Sequence, residues 1–266
     1  MAEPLRKLPA DREPETAPSD DPFRYGSRWV RRRLPNGKVV EQQVPLTAEN
    51  LLDPQLGDEV PQSDPHHEWT GVLDDLLTRH FASYEGIKVA ADLKMLWGIP
   101  GVPEPSPDIA VIPGVRKKYD EQRTSFDVVR EGTRPCLVIE VVSSTDAETR
   151  RNDYEKKVAI YQRVGIPEYI ILDPPTPATK ERLVLTGYRL GPAGRYQRIE
   201  PDHEGRLLSE TTSLLFGVAE DGRTLRVVDA VTGETLRTKS ELEAALEAAE
   251  AEIGRLRAEL ERRGKS

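Results

Sequence analysis

The stretch Arg134–Asp146, RPCLVIEVVSSTD, sets a single charge inside a run of strand-forming residues. Leu137, Val138, Ile139, Val141 and Val142 are near-continuously apolar and mostly β-branched, the pattern of a strand buried on both faces. An ionised carboxylate in such a strand costs several kcal/mol unless it is paired or bound to a metal. Glu140 therefore either meets a partner, such as a neighbouring arginine, or marks where the strand opens onto a site.

The rest of the chain bounds what that site can be. With 266 residues there is room for one large domain, or for a core carrying appendages. Hydrophobic residues make up 37% and charged residues 32%, which suits a globular core with polar extensions. No apolar run approaches the ~20 residues of a membrane helix. The N-terminal segment has no secretory apolar stretch and is too acidic for a transit peptide, so a cytoplasmic location is expected. A single cysteine, Cys136, excludes an intramolecular disulfide and a cysteine-based zinc cluster, and reads as a core thiol. The net charge of −8 argues against a broadly basic coat, while Arg28 with Arg31–Arg33, Arg116–Lys118, Arg150–Arg151 and Lys156–Lys157 could build a local basic groove.

Residues 1–22, rich in Pro, Asp, Glu and Ala, read as disordered. RWVRRRLPNGKVVEQQVPL reads as a β-hairpin turning at Pro35-Asn36-Gly37, and the extension with its linker runs over 23–58. Trp69, Val72, Leu73, Leu76, Leu77 and Phe81 recur at helical spacing. GIKVAADLKML reads as one strand and PDIAVI as another, with Val115–Gly132 irregular. A helix follows the Glu140 strand and stops at Gly165 and Pro167, and EYIILDP is a further buried strand. RLVLTGYRL pairs with RYQRIE, and TLRVVDA with ETLRT. The order implies an α/β domain over 59–236 with a mixed central sheet flanked by helices. Over 238–264, Ser240 and Glu243 read as a capping box. Leu242, Leu246, Ala249, Ile253, Leu256 and Leu260 then alternate four and three apart, the seam of a self-associating coiled-coil helix.

Two acids sit on neighbouring strand-like runs: Asp108 where a loop enters a strand, and Glu140. Adjacent strands could bring both to one rim, where two hard oxygen ligands suit Mg²⁺. Asp153, Lys157 and Tyr161 lie four apart on one helical face, so Lys157 is the candidate cation beside a reacting phosphate. Taken singly, Asp108 also fits an Asp turn after Pro107, and Asp153 with Lys157 an ordinary surface pair.

Pro107-Asp108, Glu140-Val141-Val142-Ser143, Asp153-(three)-Lys157-(three)-Tyr161 and GIPEYIILDP, in that order, resemble the Uma-type restriction-endonuclease family of the PD-(D/E)xK nuclease superfamily. The likeness runs from about His66 to about Asp173, and more loosely beyond. It implies a restriction-endonuclease-like core, here with an N-terminal β-hairpin and a C-terminal coiled-coil helix. It implies Asp108 and Glu140 as metal ligands, the Val141 carbonyl as a third, and Mg²⁺ as the cofactor with Mn²⁺ able to stand in. The superfamily's lysine position, two after the glutamate, holds Val142, and the family pattern moves that lysine to Lys157; Lys156 is off by one. His66 aligns with a histidine at the start of the first helix, for catalysis or for a helix-end hydrogen bond. The expected function is a Mg²⁺-dependent endonuclease acting on DNA as a homodimer or higher oligomer, with Asp108, Glu140 and Lys157 catalytic. Two rivals are a non-catalytic nuclease-like module that binds nucleic acid or pairs protomers, and a coiled-coil adaptor.

Overall fold

The hairpin expected around Pro35-Asn36-Gly37 is present: β1 (Ser27–Arg33) and β2 (Val39–Pro45) pair antiparallel, with Ser27 opposite Pro45 and Arg33 opposite Val39. Gly37 takes φ +80°, a left-handed value that its missing Cβ makes accessible. This computed structural model describes residues 21–61, 64–116, 123–142, 147–176 and 179–264. Residues 1–20 of the segment read as disordered, Lys117 and Lys118, and Ser143 of the motif lie outside the described residues.

Helix α1 (Asp64–Phe81) buries Leu73, Leu76, Leu77 and Phe81, three or four residues apart as one helical face requires. The strand expected through GIKVAADLKML is broken. Asp92 adopts φ +50°, so β3 (Lys88–Ala91) ends there and β4 (Lys94–Leu96) leaves the main sheet. After β5 (Ile109–Ile112), the stretch expected to be irregular contains β6 (Ser125–Asp127) and α2 (Val128–Glu131). β6 pairs parallel with β4 in a small separate sheet, and Asp127 caps α2 by accepting from the Arg130 N–H.

β7 (Leu137–Val141) is the strand carrying Glu140. Next come α3 (Ala147–Arg151), a π-helical turn over Asn152–Lys156, and α4 (Lys157–Arg163). β8 (Glu168–Asp173), β9 (Val184–Leu190) and β10 (Tyr196–Arg198) complete a six-stranded sheet of order β10-β9-β8-β7-β5-β3. Within this sheet only β7 and β8 run parallel, joined by the α3–α4 crossover as a parallel pair demands. β11 (Leu207–Ser209), β12 (Leu214–Val218) and β13 (Leu225–Asp229) form a three-stranded sheet. The expected pairing of TLRVVDA with ETLRT is present over a short length: the Asp229 N–H donates to the Glu234 carbonyl, the Leu236 N–H donates to the Val227 carbonyl, and Val228 bridges Thr235, while β12 pairs along the other edge of β13. β12 is held there by Leu214 and Phe216, which bury at alternate positions beside the main sheet.

The two sheet faces separate cleanly along β7. Leu137, Ile139 and Val141 pack with α1 and the three-stranded sheet. Val138 and Val142 face Ile160, Tyr161 and Val164 around α4. Cys136, just ahead of β7, is half-buried against the α1-side cluster. Helix α5 (Lys239–Gly264) closes the described chain. Its capping box is Thr238 with Glu241, two residues earlier than expected: the Thr238 hydroxyl accepts from the Glu241 N–H at 3.2 Å, and Glu241 accepts from the Thr238 N–H at 2.8 Å. Among the described residues no helix is long and apolar enough to cross a membrane.

Candidate active site

The pleat of β7 decides where Glu140 points. It shares a face with Val138 and Val142, so its carboxylate is directed at α4 and away from α1. The antiparallel register that pairs Ile109 with Ile139 continues one step to set Asp108 opposite Glu140. Directly opposed residues project to the same side, so the two acids share a rim. Asp108 is not spent on a local turn. Its Oδ2 accepts from the Val141 N–H at 2.6 Å, across to the next strand. His66, in the first turn of α1, adds Nε2 at 3.1 Å from the same oxygen. Its imidazole thus meets the acid.

The helix that follows supplies the cation through a distortion. In a regular α-helix the Lys157 N–H would donate to the Asp153 carbonyl; here it donates to Asn152, five residues back. The Asp153 carbonyl is taken up by the Tyr169 hydroxyl from β8 at 2.9 Å. The Lys157 amine then bridges Asp153 Oδ1 at 2.8 Å and Glu140 Oε2 at 2.9 Å. One turn on, the Tyr161 hydroxyl donates to Glu140 Oε1 at 2.5 Å. Lys156 points elsewhere and pairs with Glu49. Asp153 and Lys157 are no surface pair, since the carboxylate is 7% and the lysine side chain 14% exposed.

With this geometry in view, residues 42–227 match the family Uma2, "Putative restriction endonuclease". The chain belongs to the Uma2 family. No curated protein matches it. Among solved structures, a "putative nuclease belonging to DUF820 from Anabaena variabilis ATCC 29413" is similar over 64% of this chain and 76% of its own, at 16% identity and a TM-score of 0.36.

Electrostatically, the site of this Uma2 chain holds more acid than its cations can balance. Asp108, Glu140 and Asp153 are all buried, against Lys157 and His66. Burial is the main cause that pushes the Glu140 carboxyl up to about 8; Lys157 opposes the shift, and Asp108 and Asp153 add to it. Burial likewise raises Asp153. Burial opposes the charge on Lys157, but Asp153, Glu140 and Asp108 outweigh it and hold the amine above its usual range. For Asp108, burial acts upward, yet the His66 hydrogen bond and charge bring the carboxyl below its ordinary value. His66 is raised in turn, because Asp108 overcomes the desolvation that acts against the imidazolium.

Such a donor set fits a hard divalent cation. Mg²⁺ takes one or two carboxylates and fills its remaining positions with water and substrate oxygens. Among the described residues no three His, Cys, Asp or Glu side chains form a ready-made metal cage. Val141, the third ligand expected from sequence, gives its N–H to Asp108.

Asp108, Glu140, Lys157 and Tyr161 are thus brought together as their spacing predicts. Sequence reasoning missed two contributions. Tyr169 carries no signal beyond being an aromatic in a buried strand. Asp153 is visible in the motif, but only burial makes it a full member of the charge cluster.

Proposed function

We propose that this Uma2 chain is a divalent-metal-dependent endonuclease that hydrolyses phosphodiester bonds in DNA. One observation carries the reading: Asp108 and Glu140 sit opposite each other on one face, with the Lys157 amine 2.9 Å from Glu140. Asp108, Glu140 and the Val141 carbonyl would hold Mg²⁺, or Mn²⁺ in its place. The ion, when bound, polarises a phosphoryl oxygen and makes water a better nucleophile. Lys157 sets a positive charge where the phosphate gains negative charge. His66 orients Asp108, and Tyr161 fixes the Glu140 carboxylate.

The test is Mg²⁺-dependent cleavage of plasmid DNA, with an RNA substrate alongside. Asp108→Asn and Glu140→Gln should each lower the rate by about 10²-fold or more, in line with removing a group that stabilises the transition state. Cutting of RNA alone would move the substrate class, and undiminished cutting by Glu140→Gln would remove the site.

A second reading has its own support. Both Glu140 oxygens already accept bonds, from Lys157 and Tyr161, and Val142 stands where the superfamily pattern has lysine. A nuclease-like module that binds without cutting would show duplex binding indifferent to chelator, and no cleavage in any metal.

The homodimer belongs to the same proposal. Leu242, Leu246, Ile253, Leu256 and Leu260 of α5 are all exposed along one seam. In a parallel, in-register pair each meets its own copy, and Glu252 falls five residues before Arg257 of the partner subunit, the spacing of interhelical ion pairs. A parallel pair sets both nuclease domains at the same end, so two sites could address two strands.

A further inference from the structure

The hairpin β1–β2 takes no part in the acid site, yet its chemistry is unlike that of the rest of the chain. Residues 27–45 carry Arg28, Arg31, Arg32, Arg33 and Lys38 against one acid, Glu41, in a chain of net charge −8. Arg28 is neutralised by a two-bond contact with Asp58 at 2.6 and 2.7 Å, and Arg31 faces Glu41 at 3.0 Å. Among the described residues no ion pair engages Arg32, Arg33 or Lys38, and all three are exposed. Trp29 is 56% exposed, on the same face of the ribbon as Arg31 and Arg33. Folding gains nothing from an indole left in water on a ribbon that carries unpaired Arg33 on the same face, Arg32 on the other, and Lys38 at its turn.

Among the described residues the sheet contact the ribbon makes beyond its own pairing is one bridge, Ser27 to Glu59, beside which Arg28 and Gln43 bond the side chains of Asp58 and Glu59. Its root is fixed to the site. Tyr25, Leu46 and Ala48 form a small buried cluster. The Ala48 carbonyl accepts from Asn152 Nδ2 at 2.7 Å, the Tyr25 hydroxyl meets Glu148 Oε2 at 3.1 Å, and Glu49 pairs with Lys156. These anchors fall on the segment that leads directly into Lys157.

We propose that β1–β2 is a nucleic-acid-binding arm: Arg32, Arg33 and Lys38 contact backbone phosphates, and Trp29 lies against the duplex, beside the candidate active site. This rests on the nuclease reading for its choice of partner. A two-stranded β-ribbon matches the width of the major groove of B-form DNA. Phosphate contacts supply affinity and register without sequence information, the part that Arg32, Arg33 and Lys38 would play.

Binding to a labelled duplex of about 30 base pairs, followed by anisotropy in EDTA between about 50 and 200 mM KCl, tests the arm apart from the chemistry. The full chain should lose affinity steeply with salt. Arg32→Ala/Arg33→Ala/Lys38→Ala should weaken binding at least tenfold at the lower salt. It should also lower the log–log salt slope by roughly 3, at about 0.9 for each phosphate that is no longer neutralised. Trp29→Ala should weaken binding with the slope unchanged. Far-UV circular dichroism checks that these exposed substitutions leave the fold intact. A triple variant with wild-type affinity and slope overturns the arm, as does a full chain that binds no duplex. So does a variant that loses anionic phosphatidylglycerol vesicles but keeps DNA. Because EDTA holds chemistry silent, none of these outcomes depends on whether Glu140→Gln abolishes cleavage.

Discussion

The Lys157 amine lies 2.9 Å from Glu140 Oε2, joining residues seventeen positions apart on a helix and a buried strand. That contact answers the question posed by a carboxylate among β-branched residues: the strand tolerates Glu140 because the next helix brings a cation and a phenol to it. It also means that the charges are mutually dependent. Removing the amine leaves two buried acids, not one.

Lys157→Met should therefore destabilise the metal-free protein by about 3–5 kcal/mol, the usual penalty for orphaning a buried charge. Urea unfolding at neutral pH measures it. Adding Asp153→Asn to that variant should recover part of the loss, since the acid 2.8 Å from the amine is then neutral. A deficit below about 1 kcal/mol would place the amine in solvent.

Tyr169→Phe should cost about 1–3 kcal/mol, the range for a buried carbonyl left without its donor. The hydroxyl occupies the Asp153 carbonyl that the π-helical turn releases. Unfolding of the variant indistinguishable from wild type would show that the turn holds without it.

These two residues mark the limit of what the sequence discloses. The lone carboxylate in LVIEVV, the acid at the head of PDIAVI and the four-residue spacing of Asp153, Lys157 and Tyr161 are legible in the residues, and they point to the candidate site. The π-helical turn leaves no periodic trace, because its extra residue is absorbed inside a helix whose ends look ordinary. Asp92 breaks the strand near Lys94 by a left-handed backbone conformation that asparagine or glycine would have advertised better. β11 and β12 are hidden in the sequence because Leu207–Val218 is interrupted by SETTS, which reads as loop. Their strand character comes from packing Leu214 and Phe216 beside the main sheet.

The pH dependence of stability carries a definite sign. Glu140 keeps its proton to about 8 in the folded protein, against an ordinary value of 4.5, chiefly because it is buried. Between those values the unfolded chain binds fewer protons than the folded one, so the Glu140 contribution falls as pH rises through that window. Thermal melts in EDTA should show the melting temperature dropping from about pH 5 to about 8 more steeply in wild type than in Glu140→Gln. Added Mg²⁺ should stabilise most at the alkaline end, because a cation binds the ionised carboxylate. Equal slopes for the two proteins would contradict the assignment.

Leu246→Asp and Ile253→Asp should each convert a dimer to a monomer, since each puts a charge at the seam of a paired helix. Light scattering after size exclusion reads the mass directly. The melting temperature of the nuclease domain should stay unchanged, because both side chains are exposed in the single chain. A wild-type protein that elutes as a monomer at tens of micromolar would leave the stripe without its second copy.

The most direct measurement is the anomalous scattering of crystals soaked in Mn²⁺, for wild type and Glu140→Gln. One ion should lie between the Asp108 and Glu140 carboxylates, with the Lys157 amine close by, and should be absent from the variant. Manganese bound elsewhere with that gap empty, or an undiminished peak in Glu140→Gln, would contradict the two-acid centre on which the nuclease reading depends.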